Sequence, residues 1–204
     1  PRDRQPQTGA LMNLTLCVYC GSRDGDDPAH LAAAREVGRQ IGTRGWRLVY
    51  GGGSTGLMGA VADAALAHGA EAIGIIPERL VKKELGHPGL TSLEIVDSMH
   101  ERKHRMAMHA DAFIALPGGI GTMEEIFEAW TWRQLGYHRK ALGLLNVAGY
   151  YDHLLRFLDV SQQGGFLWPD VQELLLVDDD IDALLDRLAD EHQRLKVQTP
   201  PDQP

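Results

Sequence analysis

Short apolar runs alternate along this chain with longer segments whose apolar residues recur at helical spacing. The first run is "LTLCVYCGS", followed by a helical pattern from about Pro28 to Thr43 that puts Leu31, Ala34, Val37, Gly38 and Ile41 on one face. A strand "RLVYGGG", a helix "GLMGAVADAALAHG" and a strand "EAIGIIP" come next. A polar loop is predicted from Glu78 to Ser92, then a strand "LEIVDSM", a helix "HERKHRMAMHA" and a strand "DAFIALPGG". A long helix is predicted from about Thr122 to Leu135. The strand "ALGLLNV", the helix "YYDHLLRFLDVSQQG", the strand "LLLVDD" and the helix "DALLDRLADEH" complete the series.

Strands that are apolar throughout are covered on both faces, and strands that alternate with amphipathic helices pair in parallel. With right-handed crossovers this predicts an α/β fold, a single Rossmann-like doubly wound parallel sheet with helices on both faces. Residues 13–195 form that domain. Residues 1–12 and 196–204, rich in proline and polar side chains, are expected to be a disordered lead and tail. In such sheets a ligand sits beyond the carboxyl ends of the strands, at the point where strand order reverses. Attention therefore falls on the strand-to-helix turns.

Composition narrows the field. The 204 residues carry a net charge of −8, which disfavours a broad nucleic-acid surface while leaving room for local basic pockets. No apolar run approaches the roughly 18 residues of a membrane span, and no signal-like segment opens the chain, so a cytoplasmic protein is expected. Cys17 and Cys20 have C-x-x-C spacing but lie inside a strand-like run. Three apart on a strand, they point to opposite faces, as small buried hydrophobes rather than a redox pair.

Three turns carry candidate chemistry. Gly51, Gly53 and Gly56 match G-x-G-x-x-G between a strand and a helix. The acid that would hold a dinucleotide ribose is missing from the tip of the next strand, "IGIIP". The backbone amides of this turn, Gly52 and Gly53 among them, are expected to help line a nucleotide pocket. In "LPGGIGTMEE", Gly118, Gly119 and Gly121 let the backbone approach an anion, and Thr122 is expected to cap the helix that follows. Glu124 and Glu125 then fall in the first helical turn. Acids favour that position for the helix dipole alone, yet beside a bound phosphate a carboxylate makes more sense facing a cationic centre on the ligand.

The third turn opens "MHERKH". His100, Glu101 and His104 have the H-E-x-x-H spacing of a zinc helix, and Glu124 lies where a third ligand sometimes does. Against zinc, Arg102 and Lys103 bring two positive charges to the same turn. The alternatives are a solvated basic helix face and a phosphate site.

"SMHERK" and "PGGIGTMEE" together resemble the LOG family of cytokinin-activating phosphoribohydrolases, often mislabelled as lysine decarboxylases. The pattern P-G-G-x-G-T-x-x-E is met by Pro117, Gly118, Gly119, Gly121, Thr122 and Glu125, and M-x-x-R-K by Met99, Arg102 and Lys103. The likeness runs from about Leu14 to Leu167. It implies hydrolysis of the N-glycosidic bond of N6-substituted adenosine 5′-monophosphates, with no metal and no cofactor, by a homodimer. It implies Arg102 and Glu125 as catalytic residues. Glu84, Lys103, the turn Gly118 to Thr122 and Thr131 are implied as further substrate contacts, and Glu124 is taken with them.

The chemistry is consistent with that implication. Departure of the base leaves positive charge on the anomeric carbon, which a carboxylate can stabilise or answer with an oriented water. Arg102 stays protonated, so it either anchors phosphate or sugar oxygens or positions Glu125. Rival readings are an AMP nucleosidase acting on the unmodified nucleotide, and a non-catalytic nucleotide-binding module that would not need both Arg102 and Glu125. Trp130 and Trp132, two apart on one helix, cannot both face the same core; one is either partly exposed or packed against a partner, and the resemblance tips the choice to a second copy of the chain.

Overall fold

The computed structural model describes residues 13–81 and 85–197. The predicted lead, the last seven residues of the chain and Glu84 lie outside them. Seven strands form one sheet: β1 (Thr15–Tyr19), β2 (Arg47–Tyr50), β3 (Ala72–Pro77), β4 (Ser92–Val96), β5 (Ala112–Ala115), β6 (Ala141–Leu145) and β7 (Leu175–Asp178). Their order is β4-β3-β2-β1-β5-β6-β7, and every pairing is parallel. The order reverses between β1 and β5, so the crevice of a doubly wound sheet opens there.

Among the described residues eight α-helices follow or join the strands. They are α1 (Pro28–Thr43), α2 (Gly56–Ala67), α3 (Glu78–Val81), α4 (Met99–His109), α5 (Ile120–Gln134), α6 (Asp152–Gln163), α7 (Pro169–Gln172) and α8 (Ile181–Val197). Buried side chains of α1, α2 and α8 pack on one face of the sheet. Those of α4, α5, α6 and α7 pack on the other. Alternation along β1 explains how one strand serves both layers: Leu16 and Val18 join the first core, Cys17 and Tyr19 the second. Cys20 returns to the first core, so the two thiols lie on opposite faces as expected, both free and buried. No described helix is long and apolar enough to cross a membrane.

Several boundaries differ from the sequence reading; α7 was not predicted, and α8 runs through Val197, past the predicted start of the tail. The segment after Pro77 opens with the single turn of α3 rather than with loop. More consequentially, α5 begins at Ile120 with Gly119 as its N-cap, not at Thr122. Threonine is the better capping side chain, and the sequence pattern favoured it for that reason. Here Thr122 is buried inside the helix, and its Oγ1 lies 2.1 Å from where a Cβ on Gly118 would sit. Tight packing of the turn against the first helical residues has displaced the cap by three positions. Glu124 and Glu125 consequently lie in the second turn of α5, not the first.

Candidate functional site

The site is built where β1 and β5 end side by side. The Gly21 N–H donates to the Pro117 carbonyl at 3.0 Å, tying the turn after β1 to the glycine turn after β5. A Cβ on Gly118 would also come within 2.9 Å of the Gly21 nitrogen, so this approach needs glycine. Helix α5 leaves the turn at Gly119 and carries Thr122, Glu124 and Glu125. Helix α4 enters from the other side. The Ser98 Oγ accepts from the Glu101 N–H at 3.1 Å, and a Glu101 carboxylate oxygen accepts from the Asp97 N–H at 3.2 Å, a reciprocal capping arrangement. The Glu of the H-E-x-x-H pattern therefore starts the helix. His100 and His104 are exposed, and Glu124, the third ligand that pattern would want, is bonded to Lys103.

Arg102 is 4% exposed. Its Nε donates to the Ile75 carbonyl at 3.0 Å and its Nη2 to the Gly51 carbonyl at 2.6 Å. Two backbone carbonyls at the carboxyl ends of β3 and β2 thus fix the guanidinium plane. Lys103, one residue on, turns about 100° around the helix axis. Its ammonium reaches α5 instead, bonding Glu124 and, at 2.9 Å, Glu128. Burial alone would lower the Lys103 pKa, but the two carboxylates outweigh it and raise the value above the ordinary lysine range.

Arg102, Thr122, Glu124 and Glu125 face one cavity of about 310 Å³, with Cys20, Gly21, Ser22, Met58, Met99, Gly119 and Gly121 among its other walls. A second cavity of about 580 Å³ shares Gly21, Ser22, Gly119 and Ile120 with it and extends to Gly118, His30 and Tyr150. The two adjoin along the glycine turn. Cys20 contributes an inert wall: burial, reinforced by the Glu125 charge, pushes its thiol pKa far up.

The remaining residues singled out from sequence are distributed differently. Lys103 does not line either cavity; it clamps α4 to α5. Gly52 and Gly53 are buried and serve another segment. The Gly52 carbonyl accepts from the His87 N–H at 2.9 Å, and Gly53 bridges Gly86. Gly51 leaves the space that the Arg102 guanidinium fills. Thr131 is exposed near the carboxyl end of α5, its hydroxyl donating back to the Phe127 carbonyl at 2.7 Å, away from both cavities. Glu84 lies outside the described residues. Conversely, the sequence reading passed over Gly21, Ser22 and Tyr150. The first two sit at the first strand-to-helix turn, which the carboxyl-end rule already marks; nothing in the sequence singled out Tyr150.

Comparison with known proteins bears on what this arrangement serves. The family model described as "possible lysine decarboxylase" matches residues 58–188. A cytokinin riboside 5′-monophosphate phosphoribohydrolase of Arabidopsis thaliana, LOG1, is 44% identical over 175 residues, covering 86% of this chain and 82% of that protein. This chain belongs to the LOG family. A second relative, the Oryza sativa subsp. japonica phosphoribohydrolase LOG, is 48% identical over 161 residues, covering 79% of this chain and 66% of its own length. Among solved structures, the Moco carrier protein from Chlamydomonas reinhardtii superposes with a TM-score of 0.67 over 90% of this chain and 99% of its own, at 20% identity. At that identity the likeness extends to the fold alone. The LOG signatures fall on the site: P-G-G-x-G-T-x-x-E runs along the β5 turn into α5, and M-x-x-R-K begins α4.

Proposed function

We propose that this LOG-family chain hydrolyses the N-glycosidic bond of N6-substituted adenosine 5′-monophosphates, releasing free base and ribose 5-phosphate. The observation that carries the reading is that Arg102 and Glu125, from two separate signature segments, face one cavity beside the glycine turn. The names of relatives at 44% and 48% identity support the substrate class.

In this reading the 5′-phosphate lies at the turn of Gly118, Gly119 and Gly121, where backbone N–H groups and the amino end of α5 favour an anion. The C1′–N9 bond breaks, its electron pair leaves with the base, which takes up a proton to become the free base, and positive charge develops on the sugar. The Glu125 carboxylate stabilises that charge and takes a proton from the water that bonds to C1′. Arg102 is held by carbonyls of β2 and β3, so it meets an oxygen of substrate without reorganising. Glu124, tied to Lys103, supports the placement of α5.

We infer a homodimer as the working form. Trp130 is buried and donates to the Val171 carbonyl at 2.8 Å, whereas Trp132 lines a half-open groove with Met108 and Tyr137. Met108, Leu135 and Tyr137 are 68%, 63% and 79% exposed, an apolar surface suited to a second copy. We propose a cytoplasmic location, with which two free cysteines are consistent.

The test is incubation with AMP and with its N6-isopentenyl analogue, following free base by chromatography. Faster release from the analogue supports the reading. Faster release from AMP favours the plain nucleosidase, and release from neither leaves a binding module.

A further inference from the structure

The segment after β6 is bent in a way that costs energy. Ala148 has φ 50° and ψ 29°, a left-handed conformation that a residue with a Cβ rarely adopts, and Gly149 follows at φ 72°. Asn146 braces the bend: its Oδ1 accepts from the Tyr151 N–H at 2.7 Å, and its Nδ2 donates to Asp152 at 2.8 Å. The bend delivers two adjacent tyrosines to the glycine turn. The Tyr151 hydroxyl, fully buried, donates to the Leu116 carbonyl at 2.6 Å. The Tyr150 hydroxyl donates to the Gly118 carbonyl at 2.5 Å. Edge-on contacts to Tyr151 at 4.9 Å and to His30 at 5.3 Å hold the Tyr150 ring.

The two hydroxyls have different consequences. A trans peptide directs its C=O and N–H in opposite senses. The Leu116 carbonyl precedes Pro117, which has no N–H to direct. The Gly118 carbonyl precedes Gly119, the N-cap of α5, which lines both cavities. Drawing the Gly118 oxygen toward Tyr150, a residue of the second cavity's wall, fixes the Gly119 N–H on the opposite side of the peptide, away from the tyrosine hydroxyl. Glycines on both sides of this peptide leave it otherwise easy to rotate.

We propose that Tyr150 is a positioning residue for phosphate: its hydroxyl locks the Gly118–Gly119 peptide with the Gly119 N–H presented to the anion. Without the lock, that peptide samples orientations in which a carbonyl oxygen meets the phosphate and repels it. This rests on the reading of the glycine turn as the 5′-phosphate site and adds the residue that orients it.

The experiment compares the full-length wild type with Tyr150→Phe and Tyr151→Phe, measuring calorimetric affinity for ribose 5-phosphate and for ribose, with steady-state kinetics on the nucleotide. Loss of one oriented hydrogen bond corresponds to roughly two- to tenfold. Tyr150→Phe should weaken ribose 5-phosphate by about that factor and raise KM likewise, with a smaller change in kcat and unchanged ribose binding. Tyr151→Phe should lower the melting temperature but keep the preference for ribose 5-phosphate over ribose. If Tyr150→Phe keeps the wild-type preference, or loses affinity for both ligands equally, the assignment falls and the tyrosine is structural. If the wild type itself does not prefer ribose 5-phosphate to ribose, the phosphate reading of the turn falls, and this assignment with it.

Discussion

Gly51 and Arg102 are matched in space: a Cβ on Gly51 would lie 2.2 Å from the Arg102 Nη2, the same atom that donates to the Gly51 carbonyl. The glycine in the G-x-G-x-x-G pattern is thus explained by an arginine from another crossover rather than by a dinucleotide. Gly51→Ala should displace the guanidinium while leaving the sheet intact. Displacement by about 1 Å can cost on the order of 100-fold in rate. Circular dichroism should be unchanged and kcat/KM for base release should fall by roughly that factor; a wild-type rate would mean that Arg102 needs no anchoring.

Glu125→Gln removes the carboxylate charge and keeps its shape. Nucleotide binding should persist, or strengthen as repulsion of the phosphate disappears, while base release falls roughly 10²- to 10⁴-fold. Arg102→Ala should lose turnover by a similar factor. Calorimetry for binding and chromatography for base release separate the two effects. Glu124→Gln loses an ion pair to Lys103 rather than the carboxylate proposed to react, so its rate should fall less; equal losses at Glu124 and Glu125 would overturn the assignment.

His138 predicts a pH dependence of stability. Its Nε2 bonds the Ala129 carbonyl at 2.8 Å and its Nδ1 accepts from the Lys140 N–H at 3.1 Å, so both ring nitrogens are satisfied in the neutral form. Burial, with Lys140 and Arg133 nearby, lowers its pKa to about 4 against the partial opposition of the Ala129 carbonyl. A depressed folded pKa means that the unfolded chain binds the proton first. The contribution is complete above about pH 6.5 and is lost as pH falls through about 4. Melting temperature followed from pH 7.5 to 4 should decline, and His138→Gln should flatten that decline. An unaltered slope in the variant would locate the proton elsewhere.

Zinc chemistry is tested separately. Glu101 caps α4, and His100 and His104 are exposed. Base release with and without a strong chelator should be equal. Loss on chelation that added zinc restores would return the H-E-x-x-H pattern to a catalytic role.

Light scattering at micromolar concentration should report two chains per particle. Tyr137→Glu, on the 79% exposed ring, should shift the particle toward one chain by placing a charge in the apolar contact. A single-chain mass for the unaltered protein would rule the dimer out.

Much of this molecule is written in local pattern. Apolar strands alternating with amphipathic helices identified the doubly wound sheet, because burial on both faces requires continuous apolar runs. The glycine turn and the segments bearing Arg102 and Glu125 were legible for the same reason: residue type and spacing along the chain are local facts. What sequence could not supply was direction and neighbourhood. Arg102 and Lys103 read as one basic pair, but successive helical residues point about 100° apart. One therefore meets carbonyls of β2 and β3 and the other the carboxylates of α5. Thr122 read as a cap because its side chain is suited to one, yet close packing against Gly118 drew it inside the helix. Tyr150 carried no local mark at all. Its partner lies 32 residues away, on the turn after β5, and the two meet because β6, which leads to Tyr150, pairs with β5 in the sheet. Strand order is a long-range choice among packings, and it is strand order that decided which turns share a site.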